Sequence, residues 1–219
     1  ATAKYLERVL KAKDIVGVSM GTTIKEISRF VSSECKVDAT FVPLIGGTGQ
    51  LRMEIHPNQI AMDLSRAFGC KFKLLHAPAV ISDLKIKNNF EKEKSLKDVM
   101  DFINKTNIAI VGIGAPTEKS TMMATGYFDK NQIKDIKNNS NAVGDICLQF
   151  YDINGNYKKF PDNKRVFGIE LEKLREIDRV IGVAGGEEKL ESIIGAIRGK
   201  FINVLVTNYS CAKKMNEYK

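Results

Sequence analysis

At 219 residues, 43% of them hydrophobic, the chain is long enough for one sizeable domain with a real core, and no apolar run reaches the length of a membrane span. Its formal charge of +8 is spread along the chain and mixed with acids, as in Glu91-Lys92-Glu93-Lys94, which small anionic ligands or a lysine-rich surface explain at least as well as a nucleic-acid footprint. Four distant cysteines (Cys35, Cys70, Cys147, Cys211), with only His56 and His76 as companions, indicate neither a metal site nor a disulfide framework, so the expectation is a cytoplasmic protein without metal or cofactor.

Residues 1–13 place Tyr5, Leu6, Val9 and Leu10 at helical spacing with no capping residue ahead, and read as a residual linker helix. Ile15, Val16 and Val18 form a short apolar run suited to a strand buried on both faces, and Ile24, Ile27, Phe30 and Val31 then follow a helical period. Between them lies Gly21-Thr22-Thr23. Glycine there permits a tight turn, and the hydroxyls and unpaired N–H groups of a new helix make an anion cradle, although a simple Thr22 cap explains the same residues. Residues 39–45 predict a second strand running into Gly46-Gly47-Thr48-Gly49-Gln50. Pro57 then opens a helix with Ile60, Ala61, Leu64, Ala67 and Phe68 on one face, ending near Gly69.

Residues 71–75 predict a third strand, and 85–97 a charged, mobile excursion before a helix carrying Leu96, Val99, Met100 and Ile103. Residues 107–113 predict a fourth buried strand that closes on Gly114-Ala115-Pro116; the segment to about Asn139 gives only weak helix signals. Residues 143–151 and 157–167 read as an antiparallel insertion turned at Asn154-Gly155. The βα rhythm resumes with a strand at 179–184, Gly185-Gly186, a helix with Leu190, Ile193, Ile194, Ile197 and Phe201 on one face, a strand at 203–207, and a final helix from Asn208. The expected fold is α/β: a mainly parallel, Rossmann-like sheet covered by helices on both faces, with a small antiparallel insertion.

Ligands of such sheets collect where strands enter helices. Gly21-Thr22-Thr23, Gly46-Gly47-Thr48 and Gly185-Gly186 before Lys189 are built alike, each placing glycine after a buried strand. No complete Gly-x-Gly-x-x-Gly and no Walker sequence occurs, which favours a smaller phosphorylated ligand over a nucleotide.

The order of motifs is specific. Gly-Thr-Thr after the first strand, Gly-Gly and Asn58-Gln59-Ile60-Ala61 after the second, Val111 to Gly114, Ala142 to Ile146, and Val183 to Gly186 followed by Gly195 to Gly199 together resemble the sugar-binding domain of SorC/DeoR-type bacterial transcriptional regulators, over nearly all of residues 10–215. The resemblance implies a fold like sugar-phosphate isomerases and deaminases. It implies a phosphorylated sugar as effector, a homo-oligomer (dimer or tetramer), and operator DNA contacted only through a helix-turn-helix ahead of this domain and absent from this chain. Residues 14–219 are then the effector-binding domain. It further implies that Gly21, Thr22 and Thr23 grip phosphate, that Gly46, Gly47 and Gln59 meet the ligand from the second loop, that Asp145 accepts from sugar hydroxyls and that Lys189 closes the far end. Ile45 stands where some members carry arginine, which leans towards a monophosphate.

On residue grounds alone Lys189 is a solvated lysine neutralised by Glu187 and Glu188, or else a ligand group, since an ammonium at a helix N-terminus opposes the macrodipole. Asp145 is a turn carboxylate or a ligand group. His56 reads as a loop residue beside Pro57, His76 as strand-end packing. Two functions remain in view: a sensor whose effector alters subunit pairing, and an isomerase or deaminase on the same fold. The enzyme needs a positioned base, for which Asp145 or Asp83 are candidates without a visible acid/base partner, so the sensor is preferred and no catalytic residue is named.

Overall fold

The computed structural model describes residues 1–32, 37–47, 49, 53–117 and 120–218; Cys35, Thr48 and Gln50 lie outside these. Helix α1 (Thr2–Val9) is followed by β1 (Ile15–Val18), α2 (Thr22–Lys25), β2 (Thr40–Pro43), α3 (Pro57–Ala67) and β3 (Lys71–Phe72). Then come α4 (Leu84–Phe90), α5 (Lys94–Asn104), β4 (Ile108–Gly112), α6 (Thr121–Ala124), α7 (Lys130–Asn138), β5 (Gly144–Ile146) and β6 (Gln149–Tyr151). The chain finishes with α8 (Leu171–Leu174), β7 (Arg179–Val183), α9 (Leu190–Arg198), β8 (Val204–Val206) and α10 (Tyr209–Glu217).

Six strands form one parallel sheet in the order β3-β2-β1-β4-β7-β8, and β5-β6 form a separate antiparallel pair. The chain winds outwards from β1 to β3, returns to lay β4 against the other side of β1, and winds outwards again. The winding reverses between β1 and β4, and helices leaving in opposite directions there open a crevice at the strands' carboxyl ends.

Strand alternation sorts the apolar residues onto two faces. Val16, Val18, Phe41, Ile108, Ile110 and Ile181 meet α1 and α3 on one face, while Val42, Ala109, Val111 and Val180 meet the larger cluster around β5 and β6 on the other. Helix α1 belongs to the first cluster: Leu6 is fully buried beside Ala3 and Leu10, and that one side chain contributes about 2 kcal/mol. Gly17 is required by packing, since a Cβ there would fall 2.3 Å from Leu44 Cδ2.

Several expectations need correction. The helix after Gly21 makes only one α-turn before tightening to a 3-10 helix at Glu26–Phe30, leaving Phe30 68% exposed. The third strand keeps only two of its five expected residues. The charged excursion at 85–97 is ordered as α4: the Asp83 carboxylate accepts from Lys85 N–H (2.6 Å), and buried Lys87 donates to Lys164 C=O (3.1 Å). The weak signals before Asn139 include α7, opened by a capping box of Asp129 and Gln132. Ile197 is exposed, and Phe201 is buried beyond the end of α9.

The hairpin is also turned elsewhere. β5 and β6 are joined at Cys147 and Leu148, both in the left-handed region (φ 52° and 61°). Asn154-Gly155 instead sits in a loop gathered by Asp152, whose carboxylate accepts from the Asn154 and Asn156 N–H groups (2.9 Å each). No second hairpin arm returns, because the Asn163 side chain occupies the outer edge of β6, bonding both the N–H (2.7 Å) and the C=O (2.8 Å) of Phe150.

Candidate functional site

A cavity of about 720 Å³ opens at the crevice between the carboxyl ends of β1 and β4. Its first wall is the segment that leaves β1. Gly21 holds φ 133°, which only glycine adopts without strain, and α2 starts at Thr22 with no side-chain cap. The Thr22, Thr23 and Ile24 N–H groups therefore have no intrahelical acceptor, and these residues line the cavity. Ser19 fixes this wall to the next one: its hydroxyl accepts from Gly112 N–H (2.9 Å) and donates to Met20 C=O (3.2 Å).

The second wall is the β4 exit with the β5-β6 hairpin docked on it. Gly114 N–H donates to Asp145 C=O (2.9 Å) and Asp145 N–H to Gly114 C=O (3.1 Å), so the hairpin extends β4 backbone to backbone. This docking carries the Asp145 carboxylate into the cavity wall at 7% exposure. Burial pushes its pKa up to about 6, against the opposing pull of the Lys189 ammonium and the Leu148 backbone amide. The left-handed tip, Cys147 and Leu148, lines the cavity, and burial followed by the Asp145 charge pushes the Cys147 thiol up.

The third wall follows β7. Gly186 (φ 112°) turns the chain into the 3-10 helix Glu187–Lys189, and Lys189 Nζ donates to Ile113 C=O (3.0 Å) across the β4 exit. Glu187 of the same turn pairs with Lys214 of α10, and Glu188 lines the cavity.

Five of the eight residues read from the sequence thus line one cavity: Gly21, Thr22, Thr23, Asp145 and Lys189. Gly46, Gly47 and Gln59 do not line it. The Gly46 N–H donates to Phe167 C=O (2.9 Å) and the Gly47 N–H to Ala77 C=O (2.7 Å), so neither is free for an anion. Glycine is needed there by packing, because a Cβ at Gly46 would lie 2.5 Å from the Ala77 and Pro78 carbonyls and one at Gly47 2.5 Å from His56 Nε2. Gln59 Nε2 is spent on Asp63 Oδ1 (2.7 Å).

His56 caps α3, its Nδ1 accepting from Asn58 N–H (3.2 Å), and Asp83 caps α4; neither lines the cavity, nor does His76. Sequence reasoning missed Ser19, Thr117, Ser120, Thr121 and Met122, which are also among the described lining residues. Ser19 was findable as the polar residue ending the first apolar run; Thr117 to Met122, before and in α6, carried no periodic signal. Among the described residues no three His, Cys, Asp or Glu side chains gather as a metal would require, and no helix is long and apolar enough to cross a membrane.

Chemically the cavity wall combines two kinds of group: amide N–H groups and hydroxyls of the Thr22–Ile24 segment, which suit an oxyanion, and a buried carboxylate with an ammonium, which suit neutral hydroxyls that donate to one and accept from the other.

Comparison with known proteins identifies a family and its fold. The family model Sugar-bind, "Putative sugar-binding domain", matches residues 1–216. The deoxyribonucleoside regulator of Bacillus subtilis (strain 168) is 32% identical over 213 residues, covering 97% of this chain and 67% of the relative. The sorbitol operon regulator of Klebsiella pneumoniae is 30% identical over 213 residues, covering 96% of this chain and 67% of the relative. The crystal structure of that full-length regulator, SorC, superposes with a TM-score of 0.88 over 97% of this chain and 70% of its own, at 30% identity. The chain therefore spans about two thirds of the curated relatives it matches.

Proposed function

Because the chain belongs to the sugar-binding domains of SorC/DeoR-type transcriptional regulators, we propose that its cavity holds a phosphorylated sugar as the regulator's effector. The observation that carries this reading is the meeting of Thr22, Thr23, Asp145 and Lys189 in one cavity from three separate strand exits. The phosphate rests on the Thr22–Ile24 amides and the two threonine hydroxyls, where charge-assisted bonds are strongest. Asp145 and Lys189 hold the sugar hydroxyls. Among the described lining residues Lys189 is the single basic side chain, opposed by Asp145 and Glu188, which favours a monophosphate over a bisphosphate.

The relatives are named for deoxyribonucleoside and sorbitol metabolism, so the genes controlled are those of sugar or nucleoside breakdown, in the cytoplasm. The effector unit takes in α1 as well as residues 14–219, since Leu6 is buried in the same core. The effector acts by favouring one arrangement of paired subunits over another, and shifts operator binding by its difference in affinity for the two. No substrate is turned over in this reading.

A thermal-shift panel of sugar monophosphates, bisphosphates and unphosphorylated sugars at millimolar concentration tests it. A ligand at a hundred times its Kd adds about 2.7 kcal/mol to the folded state. A clear upward shift with a monophosphate is expected. No shift with any phosphorylated sugar ends the proposal, and turnover of an incubated sugar phosphate replaces it with the enzyme.

A further inference from the structure

We propose that Tyr127 is a positioning residue of the effector cavity, hanging the wall that Thr117, Ser120, Thr121 and Met122 form on the backbone carbonyl of Gly47. The proposal rests on the effector reading, and it gives the Gly46-Gly47 loop a part in the site that the loop does not play by contact.

The walls after β1 and β7 leave the sheet directly, and the hairpin is bonded to the end of β4. The α6 wall has no such support. Its helix is one turn of four residues, too short to hold its shape alone. Its hydrogen bonds close on themselves: Ser120 N–H donates to Thr117 C=O (3.0 Å), and Met123 N–H reaches Ser120 Oγ (3.4 Å). Among the described residues from Ala115 to Phe128, one hydrogen bond leaves the segment. Tyr127 Oη donates to Gly47 C=O (3.1 Å), 80 residues away in the chain. Met122 and Phe128 are buried in the larger core, with the Phe128 ring edge-on to Phe150 (5.3 Å). Such apolar contacts keep the segment on the protein without fixing its orientation, because burial is non-directional and a hydrogen bond is not.

Both ends of the tether are defined. At the anchor, Gly47 is threaded between two backbone bonds, its N–H to Ala77 C=O (2.7 Å) and its C=O from Ala79 N–H (2.7 Å), and His56 Nε2 fills the space a Cβ would need. From the other end the link runs on to the cavity. Tyr127 N–H donates to Thr125 Oγ1 (3.2 Å), and the Thr125 hydroxyl donates to Met122 C=O (2.7 Å), the carbonyl of a lining residue. Thr125 is 3% exposed, so water does not compete for that relay.

Removing the phenol hydroxyl alone is a clean cut. Gly47 C=O keeps its bond from Ala79, so Tyr127→Phe leaves no buried acceptor unpaired and the fold intact. A wall released in this way occupies its binding-competent position only part of the time, and the apparent Kd rises by the reciprocal of that fraction. One hydrogen bond of ordinary strength corresponds to about three- to tenfold. Inorganic phosphate needs only the Thr22–Ile24 segment and is unaffected.

Tyr127→Phe tests the proposal through two readouts: hydrogen exchange of the ligand-free protein, followed by mass spectrometry, and titration with a sugar monophosphate and with inorganic phosphate. Faster exchange is expected across residues 120–127 and unchanged exchange across 22–30, with a sugar-monophosphate Kd raised about three- to tenfold and an unchanged response to phosphate. Wild-type exchange at 120–127 overturns the proposal. So does a wild-type Kd for the sugar monophosphate, or a loss shared equally by inorganic phosphate, which would mark general destabilisation. A wild-type protein that binds no sugar phosphate removes the effector reading and the positioning role with it, while the exchange comparison still decides whether Tyr127 tethers the wall.

Discussion

Gly114 and Asp145 are joined backbone to backbone by two hydrogen bonds of 2.9 and 3.1 Å, and the space a Cβ on residue 114 would need is held by the Asp145 carboxylate, whose Oδ1 lies 2.0 Å from that position. The glycine and the acid are one device. The first seats the hairpin on the end of β4, and the second reaches the cavity only because the first has no side chain. Gly114→Ala must push the carboxylate aside or part the bridge, either of which costs about 1–3 kcal/mol as overpacking. Denaturant unfolding should register that loss. The same variant should weaken sugar-phosphate binding in titration calorimetry; a Gly114→Ala protein of wild-type stability and affinity would show that the seat is not as tight as the distances say.

Asp145 gives the free protein a pH dependence with a definite sign. Its folded pKa of about 6 lies above its ordinary 3.8, so between those values the native state holds more protons than the unfolded chain. Stability contributed by this group is therefore full below about pH 4 and falls as pH rises to about 6, by roughly 3 kcal/mol at 1.36 kcal/mol per unit. Asp145→Asn removes the titration. It should be more stable than wild type at pH 7.5, lose that advantage at pH 4, and bind the effector more weakly because a carboxylate acceptor is gone.

Thr23→Val and Lys189→Ala separate the proposed phosphate and sugar contacts. Each removes a bond to a charged or hydroxyl-bearing ligand, worth about 1.5–3 kcal/mol, or roughly ten- to a hundredfold in Kd. The unliganded melting temperature should move little for Thr23→Val, since Thr23 is exposed, and should fall at neutral pH for Lys189→Ala, which gives up its bond to the Ile113 carbonyl and the ammonium that offsets the burial of Asp145. Phosphate analogues lacking the sugar should feel Thr23→Val and be indifferent to Lys189→Ala. Lys189→Ala should also raise the pKa of Asp145 further, because the ammonium is what opposes burial there.

The parallel sheet and its helices were legible in the sequence because buried strands and amphipathic helices carry their period in the apolar residues themselves, as Ile108 to Val111 and Ile60 to Phe68 do. The turn at Gly21 was legible for a related reason: a glycine within a few residues of a buried strand's end is a local signal. Gly46 and Gly47 gave the same local signal and serve packing instead, because what distinguishes them is the acceptor each N–H finds, Phe167 and Ala77, far away in sequence. The hairpin tip was hidden for the opposite reason. Cys147 and Leu148 adopt left-handed angles that Asn154-Gly155 would take more readily, and only the docking of Asp145 on Gly114 fixes the turn at the costlier place.

His56 provides a second, opposite titration. Its Nδ1 accepts from Asn58 N–H (3.2 Å) at the start of α3, which requires the neutral ring, and burial, then the neighbouring His76, lowers its pKa below the ordinary 6.5. A folded pKa beneath the unfolded one means that this stability is present above about pH 6.5 and is lost as pH falls through the folded value, when the unfolded chain binds the proton first. His56→Asn keeps a good capping acceptor without the titration, and asparagine ranks among the best N-caps. It should match the wild type at pH 8 and exceed it at pH 5, whereas His56→Ala, which has no acceptor, should be less stable than wild type at pH 8 by about 1 kcal/mol. Asp145 works in the opposite direction over the neighbouring range. Urea midpoints for His56→Asn and Asp145→Asn across pH 4 to 8 should therefore diverge from wild type at opposite ends, and curves that deviate at the same end would contradict one of the two assignments.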